Sequence, residues 1–157
     1  MLAKGAFHAM INSYSTEFSN FKPNRTSGDS FYFGSNKSDS VINYATGTRM
    51  FGAGGNDTFV NFGKDSFVDG GSDTDSIISV GTNAELKGGF GADLVFAYGS
   101  GTKVDGGYGA DTIYIANDNI TTNAGAGNDK IYNQKIDLTP YNMSIFNFIR
   151  AVFGIKF

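Results

Sequence analysis

The sequence predicts an all-β protein, a parallel β-solenoid with eighteen residues per coil, and three observations predict it. The first is a repeat: Gly88-Gly89-Phe90-Gly91-Ala92-Asp93-Leu94-Val95-Phe96 returns eighteen residues later as Gly106-Gly107-Tyr108-Gly109-Ala110-Asp111-Thr112-Ile113-Tyr114. The second is that this nine-residue frame, stepped by eighteen along the chain, places an aspartate at its sixth position every time: Asp39, Asp57, Asp75, Asp93, Asp111 and Asp129. The third is a large apolar residue at the eighth position of each: Val41, Phe59, Ile77, Val95, Ile113 and Ile131. A fixed period of this kind marks a chain that stacks one supersecondary unit upon the next.

Within each nonad the parts have separate reasons. Leading glycines let the backbone take positive φ and turn its carbonyls inward. A carboxylate beside inward carbonyls makes a nest of hard oxygens suited to calcium. The last three residues read as a short strand with one side chain facing in.

Taken in order, residues 1–24 differ in pattern from the repeats. Phe7, Met10, Ile11, Tyr14 and Phe18 recur at three- and four-residue spacings, which reads as a helical N-terminal cap ended by Pro23. The roll is expected over residues 25–139, its first half-turn at Arg25 to Phe33 with Tyr32 in register with Met50. Between the aspartate nonads lie alternate ones, beginning at Asn43, Asn61, Ser79, Ala97 and Ile115, that keep an eighth-position strand residue (Met50, Val68, Leu86, Val104, Thr122) and lack the aspartate. Two nonads per turn make two short parallel sheets, so any metal column runs down one edge only. At a strand spacing of roughly 4.8 Å, six coils stand about 30 Å tall. Residues 140–157 begin at Pro140 and are very hydrophobic. They fit a cap over the last coil, a lid, or an export or assembly segment.

Strand alternation then sorts the faces. With the eighth position inward, the ninth points out, which lines up Ile42, Val60, Ile78, Phe96, Tyr114 and Tyr132, joined two residues on by Tyr44, Phe62, Val80 and Tyr98. A monomer seldom exposes an apolar patch this large, so something covers it. Three readings stay open: a second core under the terminal segments, a self-assembly interface, or a carbohydrate platform built on Tyr44, Tyr98, Tyr114 and Tyr132. The other sheet's outer face carries Arg49, Asp69, Glu85, Lys87, Lys103 and Asp105, with Phe51 and Phe67 as exceptions.

Composition excludes several classes. The chain has 157 residues, no cysteine, 22 glycines, two prolines and a net charge of -3. No disulfide or thiolate metal site is available, and the scattered lysines and arginines leave no footprint for nucleic acid. The N-terminal residues form no apolar core of a cleavable signal, and no run reaches transmembrane length. His8 is the one histidine, so no Ser-His-Asp or histidine-metal set can be assembled, and Gly63-Lys64 lacks the rest of a phosphate loop. No catalytic residue is expected.

The pattern of two glycines, a third glycine, an aspartate and an apolar strand resembles the RTX, or haemolysin-type, calcium-binding nonapeptide repeat across about residues 34–132. The nonads at Gly88 and Gly106 carry it in full, and that at Gly70 keeps both leading glycines. The resemblance implies a right-handed parallel β-roll. It implies calcium ions between successive turns, held by the six aspartates and by backbone carbonyls of Gly52, Gly54, Gly70, Gly71, Gly88, Gly89, Gly91, Gly106, Gly107, Gly109, Gly125 and Gly127. Six aspartates leave five gaps, hence up to five ions in one column, with the gaps between Asp75, Asp93 and Asp111 the best formed. Lys37 replaces a glycine at the first gap and Asp73 another in the third nonad.

It also implies type I secretion from a Gram-negative bacterium to the outside or the cell surface. Stacked aspartates repel without metal, so folding and calcium binding are expected to be coupled. The resulting expectation is a secreted, non-enzymatic structural protein that folds on calcium outside the cell and self-assembles into a filament or surface layer. The alternatives are a calcium-dependent module binding an acidic polysaccharide, and the export or folding module of a larger toxin or hydrolase. The third and fifth positions lack the regular threonine-asparagine ladder of an ice-binding roll.

Overall fold

The computed structural model describes residues 31–133, and both expected flanking caps, including the helical reading of residues 1–24, lie outside them. The described chain is all-β. Twelve strands succeed one another: β1 Phe31–Phe33, β2 Ser40–Asn43, β3 Arg49–Phe51, β4 Thr58–Asn61, β5 Phe67–Ser72, β6 Ser76–Ser79, β7 Glu85–Phe90, β8 Leu94–Ala97, β9 Lys103–Tyr108, β10 Thr112–Ile115, β11 Thr121–Asn123 and β12 Lys130–Asn133. Odd-numbered strands make one six-stranded sheet and even-numbered strands the other, each in sequence order. The β-solenoid of eighteen-residue coils that the repeat predicts is the fold observed.

Register is the eighteen-residue repeat made physical. Ile77 pairs with Phe59 and Val95, and Leu86 with Val68 and Val104, all parallel. Tyr32 pairs with Met50, so β1 supplies the expected first half-turn. A one-residue slip would turn the apolar set out of the core, which is why a half-buried sheet of this kind specifies its register.

The core is the seam between the sheets. Val41, Phe59, Ile77, Val95 and Ile113 meet Met50, Val68, Leu86 and Val104, with Ala84, Ala97 and Ile115 filling the corners. Tyr32 closes the N-terminal end edge-on to Phe59, with ring centroids 6.4 Å apart. At the last described coil Ile131 occupies the same inward position yet is 48% exposed.

The outward column is graded in exposure. Ile42, Val60, Ile78 and Phe96 are buried, Tyr44, Phe62, Val80, Tyr98 and Tyr114 half-buried, and Tyr132 exposed. Alternation gives the direction in which a side chain leaves the sheet, and it carries no information on what lies beyond. Apart from Tyr132, the exposed aromatics among the described residues stand on the odd-numbered sheet: Phe31, Phe33, Phe90 and Tyr108.

Candidate metal centre: a column of aspartates

Each aspartate sits immediately before a strand of the even-numbered sheet, at the inner end of a glycine-rich turn. Asp57, Asp75, Asp93 and Asp111 are almost fully buried, Asp39 is buried, and Asp129 in the last described coil is half-buried. The turn that brings them inward needs left-handed backbone. Gly71, Gly89 and Gly107 have φ of 104°, 113° and 102°, and a Cβ on any of them would strike the preceding coil's backbone. Two non-glycine residues are held in the same region of the turn: Ala53 at φ 75° and Asp73 at φ 77°.

The six aspartates form one ladder. The backbone N–H of Asp39 donates to Asp57 Oδ1 (2.7 Å), Asp57 to Asp75 (2.7 Å), Asp75 to Asp93 (2.8 Å), Asp93 to Asp111 (2.9 Å) and Asp111 to Asp129 (3.0 Å). One oxygen of each carboxylate from Asp57 to Asp129 is thus committed to the coil before it. The other oxygen, Oδ2 of Asp57, Asp75, Asp93 and Asp111, is buried with no hydrogen-bond donor.

Those orphaned oxygens face a cradle. A Cβ built on Gly70 would collide with Asp75 Oδ2 and with the carbonyl oxygen of Gly88, which belongs to the next coil. Gly52 stands in the same way against Asp57 Oδ2 and the Gly70 carbonyl, and Gly88 against Asp93 Oδ2 and the Gly106 carbonyl. At Gly106 the pair is Asp111 Oδ2 and the carbonyl of Ala124, a residue that the glycine pattern passes over. At each of these four glycines the two nearest polar atoms are acceptors.

Of the other expected carbonyls, that of Gly107 accepts Ala126 N–H in the ladder, and those of Gly71, Gly89, Gly91 and Gly109 abut the glycine one coil on. Gly54, Gly125 and Gly127 lie on the same edge, and Gly54 N–H is taken by Ser35.

Electrostatics follow from burial. Desolvation pushes Asp57 up to about 6, Asp75 up to about 7 and Asp93 up to about 6, and raises Asp111. The N–H from the preceding coil offsets part of this, and neighbouring aspartates add to it. A buried acceptor without a donor needs a proton or a cation. Among the described residues no three histidine, cysteine or acidic side chains converge. Any cation here takes carboxylate and carbonyl oxygens in mixture, the chemistry of a hard divalent ion.

The first turn is different in kind. Neither Ser35 nor Lys37 takes positive φ, and Ser35 donates to Asp39 Oδ2 through its N–H (2.7 Å) and its hydroxyl (3.0 Å). Tyr32 lies against the same carboxylate, and burial, then that charge, pushes its phenol up to about 12. At the third turn Asp73 is exposed and accepts Gly55 N–H at 3.1 Å, and its charge adds to the upward shifts of Asp57 and Asp75.

The opposite edge holds a second polar ladder. Asn43 Nδ2 donates to Asn61 Oδ1 (2.8 Å) and Asn61 Nδ2 to Ser79 Oγ (3.1 Å), all three buried. Asn43 and Asn61 each also donate to a carbonyl of their own turn, Ala45 and Gly63. The signal for it was the eighteen-residue spacing of Asn43, Asn61 and Ser79 at the first position of the alternate nonads.

Comparison with known proteins finds no family model, no curated protein and no solved structure that matches this chain. Among the described residues no helix is long and apolar enough to cross a membrane.

Proposed function

We propose that this chain is a calcium-binding, non-enzymatic structural protein of the RTX type, exported unfolded, folded by calcium outside the cell, and assembled there into a filament or layer. The observation that carries the calcium reading is the stack of four buried Asp Oδ2 atoms without donors, three paired with a glycine carbonyl of the next coil and one with that of Ala124. The carboxylates of Asp57, Asp75, Asp93 and Asp111, with the carbonyls of Gly70, Gly88, Gly106 and Ala124, would hold the ions. Bound calcium supplies positive charge between coils that otherwise stack carboxylates at close range, so its binding energy becomes folding energy. Extracellular calcium modules bind at roughly 10⁻⁴ to 10⁻³ M, a concentration met outside cells rather than in the cytosol.

Assembly rests on the last coil of the described residues. Among the described residues β12 is the edge strand of its sheet and Ile131 presents a half-exposed core position there, the features by which parallel coils add further coils. A head-to-tail contact of this kind does not close and so builds filaments.

The test is a calcium titration from chelator upward at neutral pH, following circular dichroism and light scattering on the same sample. The β signal is expected to rise in the range typical of extracellular modules, with particle size rising alongside it and magnesium failing to substitute. A β signal indifferent to calcium would overturn the metal reading, and a calcium-folded monomer would overturn assembly.

A further inference from the structure

The outer face of the odd-numbered sheet carries an open groove of about 470 Å³ that none of the six column aspartates lines. Its floor is made by Gly71, Gly89 and Gly107, in register on β5, β7 and β9. Because these residues lack side chains, the sheet is hollowed along the roll axis, across the strands. One wall is polar: Asp69, Lys87 and Asp105, also in register. The other wall is aromatic. Phe90 and Tyr108 stack with ring centroids 5.1 Å apart and stand 62% and 63% exposed.

From this geometry we infer that the groove binds an extended, neutral polysaccharide running along the roll axis. A pyranose ring has a hydroxyl edge and an apolar C–H face, and the groove offers carboxylates and an ammonium on one side and aromatic surface on the other. The coil repeat of roughly 4.8 Å presents the same pair of walls again at each step. Two carboxylates flank one ammonium, so the wall repels uronate-rich chains and accepts uncharged ones. An extended peptide is served poorly, because the glycines of the floor already pair with one another in the sheet and offer no edge for strand addition. The walls of the groove share no residue with the aspartate column, and they differ from the tyrosines of the even-numbered sheet.

The experiment is affinity electrophoresis in calcium-containing native gels cast with hydroxyethyl cellulose, xylan or alginate. Retardation by at least one of the two neutral polymers is expected, with none by alginate. The double variant Phe90→Ala with Tyr108→Ala is expected to lose about tenfold or more in apparent affinity while keeping its β signal, since both side chains are exposed. Asp105→Asn is expected to weaken retention with both aromatic rings in place. Phe33→Ala, an exposed aromatic outside the groove, is expected to behave as the native chain. Absence of retardation by both neutral polymers overturns the proposal. So does retardation that alginate shares, or that a folded double variant retains.

Discussion

The two edges of the roll solve the same problem with opposite chemistry. Both must bury polar side chains where the chain turns between sheets. On one edge Asn43, Asn61 and Ser79 each bring a donor and an acceptor, and the ladder closes on itself at 2.8 and 3.1 Å. On the other edge Asp57, Asp75, Asp93 and Asp111 bring acceptors only, and a single N–H per coil satisfies one oxygen of two. The backbones are the same parallel stack. A carboxamide edge is complete when folded, whereas a carboxylate edge is complete only with a proton or a cation, and so only that edge can report on the solution around it.

The strongest way to break the contrast is to carry the acceptor-only chemistry across. Asn61→Asp replaces a donor to the Gly63 carbonyl and Ser79 Oγ by a second buried acceptor. It is expected to cost about 3 kcal/mol or more, read as the denaturation midpoint in saturating calcium.

Acidity probes the same difference without mutation. In chelator the folded pKa values of Asp57, Asp75 and Asp93 stand at about 6, 7 and 6 against an ordinary 3.8. The folded state therefore binds more protons than the unfolded one across that window. Stability in chelator is fully present below about pH 4 and falls as pH rises towards 7. Thermal melts from acid to neutral pH check this, and calcium is expected to restore the loss at neutral pH. A melting temperature that rises with pH in chelator would contradict the assignment.

The converse swap sharpens the comparison. Asp75→Asn supplies a donor where Oδ2 has none and removes a buried charge. In chelator at neutral pH it is expected to stabilise the roll by about 1–3 kcal/mol while shrinking the calcium-induced rise in melting temperature. An unchanged calcium response in this variant would place the ions elsewhere.

The smallest effect concerns the turn itself. Ala53 holds φ 75° at the position where later coils have Gly71, Gly89 and Gly107. Ala53→Gly relieves that strain against a looser unfolded chain, so a net gain of about 0.5 kcal/mol is expected from chemical denaturation.

Much of this was legible in the sequence because the chain repeats. A period of eighteen sets the register of every strand pair, and the alternation of side chains then sends Val41, Phe59, Ile77, Val95 and Ile113 inward and the aspartates to one edge. Those inferences need only local geometry, copied coil after coil. The tertiary structure decided what has to be known across space. It divided the carboxylates of Asp57, Asp75, Asp93 and Asp111 into a bonded and an orphaned oxygen, and brought the Ala124 carbonyl beside Asp111. It also linked the asparagines into a ladder and hollowed the groove beside Phe90 and Tyr108. Periodicity gives each side chain a direction, and only the packed coils give it a neighbour.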